Sequence, residues 1–91
     1  MRLSYKAIER LRGQGNYSVV ETYNEVTITY YPPSPSEAFS EEEVVREIRI
    51  IGVKRKDYVE IEKAIVVENG REVKKMSESE LSLWLDYIEG M

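Results

Sequence analysis

A chain of 91 residues has material for one hydrophobic core and too little for two, so a single domain over residues 1–91 is expected. Hydrophobic residues make up 42% and charged residues 33%, the composition of a globular protein, and the formal net charge is −4. Cysteine and histidine are both absent, which excludes disulfides, thiolate or imidazole metal sites, thiol nucleophiles and imidazole acid–base chemistry.

The densest apolar stretch, Ala64 to Val67, falls far short of the roughly 20 residues needed to cross a bilayer. Met1 leads into an amphipathic pattern rather than a secretory signal, so a cytoplasmic location is expected, or the host cytoplasm or virion for a viral protein. Abundant Glu, Lys, Arg, Val, Ile and Tyr without Cys is the bias associated with hyperthermophiles, and it has the flavour of small archaeal or archaeal-virus proteins. Charge is unevenly spread. Arg2, Lys6, Arg10 and Arg12 make the beginning basic, residues 37–47 are strongly acidic, and Lys54, Arg55 and Lys56 form a basic knot.

Ser4 can cap a helix running through "YKAIERLRG", with Leu3, Ala7, Ile8 and Leu11 at helical spacing and Gly13 stopping it in a left-handed conformation. From Tyr17 the apolar period changes to two. Tyr17, Val19 and Tyr23 alternate, as do Val26, Ile28 and Tyr30, which predicts a hairpin turning at Asn24-Glu25 with Val19 opposite Tyr30. Pro32 and Pro33 end the second strand or confine it to a sheet edge.

Ser34-Pro35-Ser36-Glu37 and Ser40-Glu41-Glu42-Glu43 are both capping-box patterns, and together they predict one inserted acidic helix starting at Ser34 or Ser40. A disordered acidic linker is the competing reading of the same run. Val44, Val45, Ile48 and Ile51 fit a helix, whereas Ile48 and Ile50 against Glu47 and Arg49 fit a strand. The favoured reading is a short helix passing into a strand over residues 46–53, with "KRKD" as the turn to the next strand. In that strand Ala64-Ile65-Val66-Val67 is apolar on both faces, as befits an interior position. Asn69-Gly70 signals a type I′ hairpin, with Val66 opposite Val73 and a bulge near Lys63-Ala64 reconciling the faces. Ser77 caps a final helix carrying Leu81, Trp84, Leu85 and Ile88 on one side, with Gly90 at its end. The fold class is therefore α+β. An antiparallel sheet of about five strands carries an N-terminal helix, the short inserted acidic helix, and a C-terminal helix packed on one face.

No catalytic set emerges. "GQG" lacks the preceding strand of a nucleotide-binding turn, the consecutive glutamates diverge around a helix, and Glu60 and Glu62 have no nucleophile beside them. The expectation is a protein without enzymatic activity or cofactor. Seven tyrosines in so short a chain point to an interface, because tyrosine joins a rigid apolar body to a polar tip. The candidate protein-binding residues are Tyr30, Tyr31, Glu37, Glu41, Glu42 and Glu43. They would face a protein partner or a second copy of the chain in a homodimer. The alternative is weak nucleic-acid binding through Arg10, Arg12, Lys54, Arg55, Lys56 and Tyr58, a basic loop and helix with an aromatic beside them.

Overall fold

The computed structural model describes residues 1–32 and 45–91 of the chain. Strand β1 (Arg2–Leu3) leads into helix α1 (Tyr5–Arg12), followed by β2 (Tyr17–Glu21) and β3 (Glu25–Tyr30). Strands β4 (Arg46–Lys54), β5 (Val59–Glu68) and β6 (Arg71–Lys75) come next, and helix α2 (Glu78–Gly90) is the last element. The architecture is α+β, an antiparallel sheet with two helices among the described residues rather than the three expected. The expected acidic helix lies on residues 33–44, outside the described residues.

Both helices begin as their sequences predict. Ser4 is extended, and its Oγ accepts from the Ala7 N–H at 3.1 Å. Ser77 does the same for the Glu80 N–H at 3.2 Å. Each cap satisfies a donor that the first helical turn leaves without a partner. The helix ends depart from expectation. Gly13 is not left-handed but has φ −85°, and α1 closes through a tightened turn in which Gly13 N–H donates to Arg10 O. Gly90 is itself helical, and Met91 follows as the cap.

The sheet runs β1–β5–β4–β3–β2, with β6 paired to β5 as well. The outer side of β5 thus holds β1 along its first half and β6 along its second. β1 is the strand missing from the expected five. Its two residues carry no strand signal of their own, and they are extended because they pair with Val59 and Glu60. The β2–β3 turn falls at Tyr23-Asn24, one residue earlier than predicted, so Val19 opposes Ile28 and Tyr17 opposes Tyr30. Thr22 closes this loop. Its N–H donates to Glu25 O, and its Oγ1 accepts from Glu25 N–H. A register moved by two residues leaves every side chain on its predicted face.

Asn69 (φ 51°) and Gly70 (φ 82°) make the expected type I′ turn. The bulge expected near Lys63-Ala64 falls beside it, and a second one lies in β6. Glu62 is the extra residue where β5 pairs with β4, and Val73 is the extra residue where β6 pairs with β5, so Val66 opposes Lys74 rather than Val73. The extra Glu62 lets Glu62 and Lys63 both face outward, while Ile61 and Ala64 both face inward. Gly52 lies at this shift. A Cβ there would stand 2.7 Å from Val59 Cγ1 and 2.9 Å from the Glu60 carbonyl oxygen, so the two strands meet too closely for a side chain.

Among the described residues the main core cluster lies between the helices and one sheet face, while Thr29, Ile65 and Val67 are buried outside it. Ala7, Ile8 and Leu11 of α1 meet Leu81, Leu85 and Ile88 of α2 over Val26, Ile28, Ile50, Ile61 and Ala64. The helices also hold each other by their ends. Ser4 donates from its N–H and its Oγ to the Glu89 carboxylate, and Arg10 donates to the Glu89 carbonyl oxygen at 2.9 Å.

Candidate protein-interaction surface

The pairing of β2 with β3 sets Tyr17 directly opposite Tyr30, on the face that α2 covers. Their ring centroids are 4.9 Å apart, and Trp84 from α2 meets Tyr30 edge-on at 5.5 Å. The Trp84 indole N–H donates to the Tyr17 hydroxyl at 3.2 Å. The tilted and edge-on contacts suit the aromatic quadrupole, so the three rings form one half-buried group at the rim of the core. Trp84 packs against the core as its place in the helical stripe predicts, although it is partly rather than fully buried. Leu81, Leu85 and Ile88 take the buried positions, and Trp84 stands a little round the helix from them.

Burial pushes the Tyr17 phenol above its ordinary value of 10.0. The hydrogen bond from Trp84 opposes this, while the nearby phenols of Tyr30 and Tyr87 reinforce it. Tyr87 lies further along α2, three residues beyond Trp84. It is 66% exposed, and Leu83, one helical turn earlier on the same side, is 72% exposed. Leu83, Trp84 and Tyr87 together leave α2 apolar well beyond the side that faces the sheet. This surface was readable in "LSLWLDYI", where apolar residues fill more of the helix than one buried stripe needs.

The predicted binding residues divide. Tyr30 belongs to the aromatic group. Tyr31, the next residue, points to the opposite side of the sheet and is 46% exposed, as strand alternation requires. Its N–H donates to Asn16 O at 2.9 Å. Glu37, Glu41, Glu42 and Glu43 lie outside the described residues.

The basic residues converge only in part. Tyr5 donates its hydroxyl proton to the Arg55 carbonyl oxygen, which docks α1 against the β4–β5 turn. Arg12 and Lys54 then meet at one carboxylate oxygen of Glu21, at 3.1 and 3.7 Å. Arg12 also pairs with Glu9, and Arg55 pairs with Glu60 at 2.9 Å. That hydrogen bond and the Glu60 charge raise the Arg55 pKa further. Arg10 is spent on the end of α2, and the Tyr58 ring is covered by the Arg2 guanidinium 5.1 Å from its centroid. Lys56 is exposed with no ion pair among the described residues.

The described surface includes two open hollows of unequal size. The larger, about 540 Å³, lies between the Met1–Ser4 segment, Asp57, Tyr58 and the Ser82, Asp86 and Glu89 side of α2. The smaller, about 310 Å³, has Ile48, Val66, Val73 and Met76 as its floor and charged residues at its rim. Among the described residues, no group of three or more Asp, Glu, His or Cys side chains is arranged to hold a metal ion. No described helix is long and apolar enough to cross a membrane. Comparison with protein-family models, curated proteins and solved structures finds no match for this chain.

Proposed function

We propose that this protein is a non-enzymatic interaction module that binds a protein partner through the aromatic surface of α2 and the β2–β3 hairpin. The observation that carries the reading is the exposed pair Leu83 and Tyr87, backed by the half-buried rings of Trp84, Tyr17 and Tyr30. Large aromatics held rigid before binding lose little entropy when a partner covers them, and such residues dominate binding energy at protein interfaces. The acidic total and the glutamates Glu37, Glu41, Glu42 and Glu43 suit a partner with a basic rim, as for a small acidic inhibitor. Association with such a partner should slow as salt is added.

The test is a comparison of partner capture by the unmodified protein and by Leu83→Ser/Tyr87→Ser. Both side chains are exposed, so the variant should melt like the parent while losing the partner. The Trp84 emission of the unmodified protein should shift to the blue when the partner binds. Equal capture by both proteins, or binding that leaves Trp84 emission unchanged, would remove the aromatic surface from the proposal.

A second reading, weak nucleic-acid binding, is favoured by the docking of α1 against the basic β4–β5 turn. Carboxylates already neutralise most of that cluster. Retention of single-stranded DNA by the unmodified protein should then be faint at low salt and rise in Glu21→Gln, which frees Lys54 and leaves Arg12 with Glu9 alone. Tight retention by the unmodified protein that is lost on changing Lys54, Arg55 and Lys56 to alanine would make this the leading function instead.

A further inference from the structure

Among the described residues strand β2 is an edge of the sheet, pairing with β3 alone. The ladder with β3 decides which of its main-chain groups look outward. Tyr31 N–H donates to Asn16 O, and Thr22 N–H donates to Glu25 O, both at 2.9 Å. Antiparallel ladders alternate bonded and non-bonded pairs. Between those two bonded ends, Ser18–Thr29 and Val20–Thr27 are bonded, whereas Tyr17–Tyr30, Val19–Ile28 and Glu21–Val26 are not. The N–H and C=O groups of Val19 and Glu21 therefore point away from the sheet, with the C=O of Tyr17. The Tyr17 N–H is already donated to Gln14 O at 3.1 Å.

The opposite edge is guarded against another strand. β6 is exposed throughout, carries Arg71, Glu72, Lys74 and Lys75, and is broken by the extra residue Val73. β1 has only two residues. Charge, bulges and shortness are the usual devices that keep sheet edges apart. β2 lacks them. Its one charged residue, Glu21, is already paired with Arg12 and Lys54.

We propose that this edge joins β2 of a second copy of the chain, antiparallel about a two-fold axis at Val19, so that one sheet runs through both copies. Val19 N–H then donates to the second copy's Val19 carbonyl, and Glu21 N–H donates to the second copy's Tyr17 carbonyl, each bond repeated by symmetry. The pairing is self-complementary. It places Glu21 opposite the uncharged Tyr17 rather than another carboxylate, and it asks nothing of the Tyr17 N–H already in use. On the outer face it sets Val20, 57% exposed, opposite the second copy's Ser18. The contact uses the strand edge and not the outside of α2, so it stands independently of the partner-binding surface.

The test is amide hydrogen exchange and sedimentation across a range of protein concentrations. Ser18 and Val20 amides should be protected at every concentration, because they belong to the β2–β3 ladder. Val19 and Glu21 amides should gain protection only as the sedimenting species grows to a dimer. Val19→Pro removes an outward donor without touching the β3 ladder, so it should weaken self-association by about tenfold or more while keeping the fold. If that variant does not fold, the exchange pattern of the unmodified protein still decides. A monomer at all concentrations overturns the proposal, as do Val19 and Glu21 amides that exchange equally fast throughout, or a folded Val19→Pro that dimerises like the parent.

Discussion

Arg10 and Glu89 lie at opposite ends of the chain, yet the Arg10 guanidinium donates to the Glu89 carbonyl oxygen at 2.9 Å and also reaches that of Ile88. A cation thereby sits at the negative end of the α2 dipole and satisfies carbonyls that the last helical turn leaves open. The Glu89 carboxylate returns the favour by accepting from Ser4 at the start of α1. Arg10→Ala should destabilise the protein by about 1 kcal/mol, most of it from the end of α2. A double-mutant cycle of Ser4→Ala and Glu89→Gln should show coupling, and additive losses in urea unfolding would mean the two residues act separately.

Trp84 separates packing from exposure. Its ring is half-buried against Tyr17 and Tyr30, so truncation removes less contact than loss of a core residue. Trp84→Ala should cost about 2 kcal/mol, and Leu85→Ala more, since Leu85 lies fully within the core. Emission from native Trp84 should fall between the buried and solvated limits, with partial quenching by acrylamide. Full protection from the quencher would place the ring deeper than the structure does.

The Tyr17 phenol makes stability depend on alkaline pH. Burial raises its folded value above the ordinary 10.0, so the neutral form is favoured in the native state. Its contribution is complete below the unfolded value and is lost as pH rises through the folded one. The melting temperature of the unmodified protein should therefore fall more steeply above 10.0 than that of Tyr17→Phe, which cannot ionise. Parallel curves for the two proteins would show that Tyr17 titrates alike when folded and unfolded.

Gly52 should tolerate no side chain. The nearest atoms to an added Cβ include a main-chain carbonyl oxygen, which cannot swing aside as a flexible side chain can. Gly52→Ala should cost about 1–3 kcal/mol, and Gly52→Val should prevent folding. Thermal melts of Gly52→Ala beside Gly15→Ala, where nothing lies within 4 Å of an added Cβ, would separate crowding from a general effect of losing glycine.

Local chemistry made much of this fold legible in the amino-acid sequence. Ser4 and Ser77 cap their helices because a serine oxygen reaches an amide only three residues away. Asn69-Gly70 turns the chain because those two residue types accept positive φ. Alternation assigned Tyr17, Val19, Ile28 and Tyr30 to one face, and that survived a turn placed one residue out, because the side-chain period is two. Tertiary structure decided the rest. Arg2 and Leu3 become a strand only through Val59 and Glu60, and the bulges at Glu62 and Val73 exist only in relation to the strands opposite. Arg10, Arg12 and Lys54 read as a basic surface until Glu89 and Glu21 are brought to them across the fold. Trp84 likewise owes its place at the core rim to Tyr17 and Tyr30, residues of a distant hairpin. Periodicity and capping act over a few residues and leave their mark in the local sequence, whereas pairing, charge neutralisation and burial depend on what the rest of the chain brings alongside.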